Sequence, residues 1–286
     1  MKKVLLMGVT SLLVLSMLAG CGTKQAEAPK DAAQEPAKEA TKETPKKTQQ
    51  SESGVSYKDG TYKATYSHLD SHGWRPLVEV TISGGKITKA AMNYAKPDGK
   101  LKSDDADYAK NMKAKSGITP AEAYAKMNED LVAKQDIAKV DVVTGATSSS
   151  EFFKELVAKA LEKAKTGDTT ETVLPMNDTY KAADKPDERG WKAELAVTFK
   201  DGKIEKVVYN EVNDKGEKKR ESKEYNDKMK EKSGITAADA QAALENALMK
   251  SQDLEKVDVV TGATSTSKRF QELAKQIAAQ RVEYKK

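Results

Sequence analysis

The sequence predicts an α+β fold built twice: two tandem domains, each a small antiparallel sheet with packed helices, after a disordered tether. Three observations predict it. Residues 139–148, Lys-Val-Asp-Val-Val-Thr-Gly-Ala-Thr-Ser, recur unchanged as 256–265. In each copy, short runs of alternating apolar and polar residues are followed by helical stripes at i, i+3, i+4, i+7. The stretch from Gly22 to Gly54 holds no aromatic residue and no Val, Ile, Leu or Met. Such a stretch cannot bury enough apolar surface to offset chain entropy.

The first element is a leader. Met1, Lys2 and Lys3 precede an apolar run from Val4 to Ala19. A basic start and a short apolar core read as an export signal over residues 1–20, too short to span a bilayer comfortably. The run ends Leu18-Ala19-Gly20-Cys21, which resembles the bacterial lipobox, where the signal is cut before a cysteine whose thiol takes diacylglycerol. Cys21 is then the lipidation site, and two acyl chains at about 0.8 kcal/mol per buried CH₂ give stable anchoring. The resemblance implies a location on the extracytoplasmic face of the cell membrane. An ordinary secretory signal with an incidental cysteine is the alternative. Residues 21–55 form the linker, with coil ends about 30 Å apart and a reach of about 110 Å when extended.

At about 150 residues per domain, 286 residues suggest two, placed at 56–167 and 175–286 with a joint near Thr166 to Pro175. Gly73-Trp74 recurs as Gly190-Trp191 at the same 117-residue offset as the ten-residue block. Val78, Val80 and Ile82, and in the second copy Leu195, Val197 and Phe199, alternate with polar residues as half-buried strands do. Gly84-Gly85 and Asp201-Gly202 supply hairpin turns. Second strands follow around Ile87 to Tyr94 and Ile204 to Asn210. A Lys-rich helical stretch comes next; its second copy, Asp214 to Lys232, reads as a solvated, salt-bridged face. Thr119-Pro120-Ala121-Glu122 looks like a capping box with proline at N1, opening a helix that buries Ala123, Met127 and Leu131, matched by Ala240, Leu244 and Leu248. A last helix carries Phe153, Leu156, Val157 and Ala160, matched by Phe270, Leu273, Ala274 and Ile277.

Composition narrows the function. The net charge is +5 from 49 basic and 44 acidic residues, and aromatics are 6%. That is too mixed in sign and too poor in stacking residues for a nucleic-acid binder. One cysteine and two histidines exclude an internal disulfide, a Cys₄ zinc site, an iron–sulfur cluster and a His₃ metal centre. No catalytic dyad and no metal site are expected. His68 and His72 lack counterparts in the second copy and read as surface residues. Trp74 and Trp191 either stack on a cofactor or cover the sheet.

The repeated block carries the chemistry. Val142-Val143 reads as a short strand, and Gly145 permits a tight turn. Thr147 and Ser148 then stand at a helix start, where hydroxyls cap free N–H groups or face a bound anion. A plain cap does not require the same ten residues twice. Gly145, Thr147 and Ser148, with Gly262, Thr264 and Ser265, are therefore the candidate binding residues.

The pattern Asp-x-x-Thr-Gly-Ala-Thr-Ser followed by a helix, with Lys134-Gln135-Asp136 and Ser251-Gln252-Asp253 leading in, resembles the FMN-binding domain family, which occurs in sodium-translocating NADH:quinone reductases and Rnf complexes. The resemblance covers roughly Tyr57 to Gln280 and adds Asp141, Thr144 and Ala146, with Asp258, Thr261 and Ala263, to the candidate binding residues. Thr144 and Thr261 stand where Ser is frequent in the family, a change of like chemistry. The family implies two FMN groups phosphoester-linked to Thr147 and Thr264, attached by an FAD:protein FMN transferase that uses Mg²⁺. Asp141 and Asp258 would help that transferase position Mg²⁺ or phosphate, or serve as solvated turn residues. Lipobox, leash and paired domains together resemble the flavin-bearing lipoproteins of extracellular electron transfer in Gram-positive bacteria. The implied partners are a membrane NADH:quinone reductase or the quinone pool on one side, and ferric iron or free flavin on the other. Two other readings stay open: a non-redox surface lipoprotein that binds a phosphorylated or wall ligand, and a precursor whose signal peptide yields a pheromone.

Overall fold

The computed structural model describes residues 56–285. The leader, Cys21 and the linker expected at 21–55 lie outside the described residues.

The first repeat opens with β1 (Gly60–Tyr66), β2 (Arg75–Ser83) and β3 (Lys86–Ala95). They pair antiparallel in the order β3-β2-β1. Helices α1 (Ala106–Ser116), α2 (Pro120–Lys134) and α3 (Thr147–Thr166) follow. A short β4 (Thr172–Leu174) in the joint then pairs parallel with β1 and adds a fourth strand to that sheet. The second repeat has β5 (Asp178–Ala183), β6 (Lys192–Lys200) and β7 (Lys203–Val212) in a three-stranded antiparallel sheet. Helices α4 (Lys223–Ser233), α5 (Ala237–Ser251) and α6 (Thr264–Gln280) complete it. The same irregularity falls at Thr81/Ile82 and Thr198/Phe199, so the copies agree to the level of a bulge.

Side-chain period explains these elements. Along β2, Val78, Val80 and Ile82 point inward and are buried, as are Leu195, Val197 and Phe199 along β6, the two-residue alternation of a strand with one covered face. The covering helices are α3 and α6. Phe153, Leu156, Val157 and Ala160, and likewise Phe270, Leu273, Ala274 and Ile277, are fully buried. The capping box is present: the Thr119 hydroxyl accepts from Glu122 N, and the Glu122 carboxylate accepts from Thr119 N. The Lys-rich stretches are helical only from Ala106 and Lys223; a single 3₁₀ turn precedes each. On α4, Lys223–Asp227 and Glu224–Lys228 are exposed i, i+4 pairs.

Gln135 and Gln252 fasten the segment leading into the repeated block. Each ends its helix in the left-handed region, at φ 56° and 58°. Gln135 Oε1 accepts from Ile87 N at 2.8 Å and its Nε2 donates to Ile87 O at 2.7 Å. Gln252 does the same with Ile204. The side-chain amide thus substitutes for one residue of a neighbouring strand.

The two repeats meet through specific contacts. Ser71 N donates to the Asp178 carboxylate at 2.7 Å, and the Tyr180 hydroxyl donates to Leu69 O. His68 lies here, correcting its expected place on an open surface. It is half-buried, bonded to Ser67 Oγ and beside Arg281, and burial and the Arg281 charge push its pKa down. The C-terminal segment after α6 pairs with residues 67–69 of the first repeat. His72, by contrast, is exposed.

Candidate functional site

Val142-Val143 does not form the expected strand. Val140 is buried as the anchor of the segment, whereas Val142 is 51% exposed and Val259 48%. Among the described residues no strand pairs with them, so the segment stays irregular. It ends in a turn in which Ala146 N donates to Val143 O at 2.9 Å, with Gly145 at φ 81°. Gly262 adopts φ 80° in the matching turn. This left-handed conformation favours glycine, and space adds a second demand. A Cβ on Gly145 would stand 2.5 Å from Ser116 O, and one on Gly262 would collide with Ser233 O.

The hydroxyls at the start of the last helix do not cap it, which removes the plain-cap alternative. The cap positions are Ala146 and Ala263, without any side-chain cap, and Thr147 and Thr264 are the first helical residues. A cap must precede the helix in extended geometry, and the tight turn puts the threonines one position too late. The structuring hydroxyl is Ser150, which no local pattern singles out. Its Oγ accepts from Val143 N at 3.0 Å and donates to Ala146 O at 3.0 Å. Ser267 repeats this with Val260 N and Ala263 O. Both serines are buried, and both lie just beyond the identical block. Their one trace in the sequence is recurrence at the same 117-residue offset.

Thr147 and Ser148 are therefore exposed at the open N-terminus of α3, and Thr264 and Ser265 at that of α6. Gly145, Ala146, Thr147 and Ser148 line a cleft of 790 Å³. Gly262, Ala263, Thr264 and Ser265 line one of 840 Å³. Asp141 and Thr144 are not in the cleft; they face a separate groove beside α2. Asp141 is exposed, paired with Lys134 Nζ at 2.8 Å, and its N–H donates to Asp130. Asp258 and Thr261 are exposed and likewise do not line the second cleft.

The cleft walls differ between copies. In the first, Lys102 is buried among aromatic rings, with Nζ 4.3 Å from the Tyr94 centroid, 4.4 Å from Tyr108 and 5.7 Å from Trp74. Tyr94 stacks on Tyr124 at 5.7 Å and its hydroxyl donates to Ser149 at 3.1 Å. Asp70 receives the N–H groups of His72 and Trp74. Burial nevertheless raises its pKa, against those bonds and the Lys102 charge. In the second, Glu211 stands where Tyr94 stood, Gln241 replaces Tyr124, and Arg269 replaces Phe152. Lys219 pairs with Glu211, both buried. Arg269 bonds Asp184 at 2.7 and 2.8 Å and Asp187 at 3.2 Å. Burial would raise the pKa of Asp187, but the Trp191 and Arg189 N–H groups and the Arg269 and Lys219 charges lower it on balance. Trp74 and Trp191 meet Tyr108 and Tyr225 edge-on and neither lines its cleft.

Each repeat matches a known protein family. The FMN-binding domain family matches residues 74–162 and again 190–279. The chain belongs to this family. A 15 kDa lipoprotein of Treponema pallidum (strain Nichols) is 42% identical over 113 residues, 40% of this chain and 80% of that protein. A crystal structure of a Clostridium perfringens protein is 38% identical, covering 42% of this chain and 98% of its own, with TM-score 0.41. An NMR structure from Clostridium thermocellum is 27% identical over 37% of this chain and 92% of its own, with TM-score 0.26. The two family matches and the sheets and helices described above bear out the α+β class and the tandem FMN-binding domains expected from the sequence.

The residues fit the family's cofactor. Each cleft lies in the few-hundred-to-thousand Å³ range of small-molecule sites. At its mouth an uncapped helix start leaves N–H groups for a phosphate, and Lys115 or Lys232 adds a cation. Apolar and aromatic surface lines the first cleft for a flat ring system. Among the described residues no cluster of His, Cys, Asp and Glu could hold a metal.

Proposed function

We propose that the protein is a membrane-anchored extracellular electron carrier with two FMN groups, phosphoester-linked to Thr147 and Thr264 by an FAD:protein FMN transferase. The observation that carries this reading is a threonine hydroxyl exposed at an uncapped helix start on the lip of a cleft, twice in one chain. A buried or capping hydroxyl would be out of reach of a modifying enzyme. Asp141 and Asp258 are exposed, so a transferase with its Mg²⁺ would find them accessible.

Bound FMN supplies reversible one- and two-electron chemistry; the protein supplies placement. The free N–H groups of the first helical turn would hold the phosphate. Gly145 and Gly262 keep the turn pressed against the ends of α1 and α4, and Ser150 and Ser267 lock it. Lys102 and Lys219 place a cation deep in each wall. A covalent link retains the cofactor outside the cell, where a dissociated flavin would be lost by dilution.

The relative from Treponema is named a lipoprotein, which supports Cys21 as a lipid anchor; the extracytoplasmic face is part of the proposal. Among the described residues no helix is long and apolar enough to cross a membrane. Electrons would enter from a membrane NADH:quinone reductase or the quinone pool and leave to ferric iron or free flavin. The domains proposed are 56–167 and 175–286. Co-expression with a flavin transferase tests the reading: intact mass should show two FMN additions, with Thr147→Ala removing one and Thr264→Ala the other. A chain left unmodified beside an active transferase and FAD overturns it.

A further inference from the structure

The two clefts share their backbone and differ in their charge. Charged groups lining the first are Asp70, Lys102, Lys115, Glu151 and, from the second repeat, Asp178: two cations against three anions. Those lining the second are Asp187, Glu188, Arg189, Lys219, Lys228 and Lys232: four cations against two anions. Counting Lys219 as neutralised by the buried Glu211 and Lys102 by the nearby Asp70 leaves the order unchanged. Repeat register shows where the difference arises. His72 becomes Arg189 and Asn111 becomes Lys228, while Asp178 is held over the first cleft by Ser71 N. Ser71, replaced by Glu188, and Tyr94, replaced by Glu211, run the other way, and Arg269 in place of Phe152 stands 3.7 Å from Glu211.

We propose that this asymmetry gives the two flavin stations unequal reduction potentials, with the Thr264 station the higher, so that electrons run from the first repeat to the second. The inference rests on the function proposed above. At neutral pH a flavin takes up two electrons and one proton on full reduction, and so gains one negative charge. Nearby cations stabilise that charge and nearby anions oppose it, which is a means by which a protein tunes a bound cofactor. In the exchange, two electrons and one proton leave the reduced group on Thr147 and enter the oxidised group on Thr264. One reduced and one oxidised group remain, and no other reactant is needed. The aromatic wall of the first cleft acts in the same direction, since apolar surroundings disfavour added charge.

Single-station proteins test this. Thr264→Ala retains only the first flavin and Thr147→Ala only the second; mass spectrometry establishes the loading before spectroelectrochemical titration. At low ionic strength the second station should be favoured at least tenfold, about 30 mV for a two-electron couple. Added salt should narrow the gap, because exposed charges are screened beyond a Debye length of about 8 Å at 0.15 M. In the Thr147→Ala background, Arg189→His with Lys228→Asn should lower the potential; in the Thr264→Ala background, Glu151→Lys should raise it. Equal or reversed potentials in fully loaded proteins overturn this inference and leave the flavin-carrier function standing, as does a gap that ignores all three substitutions. A chain that takes no FMN removes the function and the inference together.

Discussion

Ser150 holds Val143: its buried hydroxyl accepts the Val143 N–H at 3.0 Å while donating to Ala146 O at the same distance. One side chain thereby ties the start of the turn to the start of the helix, with Thr147 left between them and exposed. Ser150→Ala would orphan the Val143 N–H, at a cost of about 1–3 kcal/mol. The expected outcome is a lowered unfolding midpoint together with slower FMN attachment at Thr147 and normal attachment at Thr264, followed by intact mass over time. Equal rates at both sites would show that the turn does not need this bond.

Gly145→Ala meets two penalties at once, a left-handed φ of 81° and a Cβ 2.5 Å from Ser116 O. Gly117→Ala meets only the first, since its φ is 77° and a Cβ there has open space. The Gly145 variant should therefore be the less stable, and the excess measures the close approach of turn and helix. Urea denaturation of both variants checks the order. Gly117→Ala as the costlier change would contradict it.

The buried Lys219–Glu211 pair should be the most sensitive charged feature of the second repeat. Lys219→Met leaves Glu211 without its closest cation in a site where both side chains are almost wholly enclosed. Breaking such a pair costs on the order of 3–5 kcal/mol. Lys102→Met in the first repeat removes cation–ring contacts, each about 0.5–2 kcal/mol, and should cost less. Thermal unfolding of the two variants gives the comparison, and equal losses would mean that the Arg269 network takes over the Glu211 charge.

Acid should loosen the start of α2. Glu122 accepts from Lys113 Nζ at 2.6 Å and Thr119 N at 2.8 Å, and these bonds lower its pKa from the usual 4.5 to about 2. A carboxylate held below its unfolded value stabilises the fold above that value and loses the contribution as pH falls through the folded one. The contribution is therefore complete above pH 4.5 and disappears between 4.5 and about 2. Glu122→Gln should flatten this part of the stability–pH curve, read from urea midpoints, and leave the curve above about pH 5 parallel to the parent. An unchanged acid limb would show that the capping box is uncoupled from the carboxylate.

Local periodicity made most of each repeat legible. The alternation at Val78, Val80 and Ile82 and the stripe through Phe153 to Ala160 each select one face by a simple period, and burial follows from the face. The capping box Thr119–Glu122 was legible for the same reason: its partners lie three residues apart. The ten-residue duplication marked the site, and its glycine marked the turn, because a left-handed residue leaves a local compositional trace. Tertiary structure alone decided the rest. Val142 and Val143 have strand composition but no neighbouring strand. Thr147 is exposed instead of capping because Gly145 is pressed against Ser116 by packing between distant segments. Ser150, Lys219–Glu211 and the Asp178 carboxylate over the first cleft act across the fold, through partners 7, 8 and 107 residues away. A sequence states its own periods and turns; which charge faces which wall depends on the three-dimensional meeting of segments that no local pattern records.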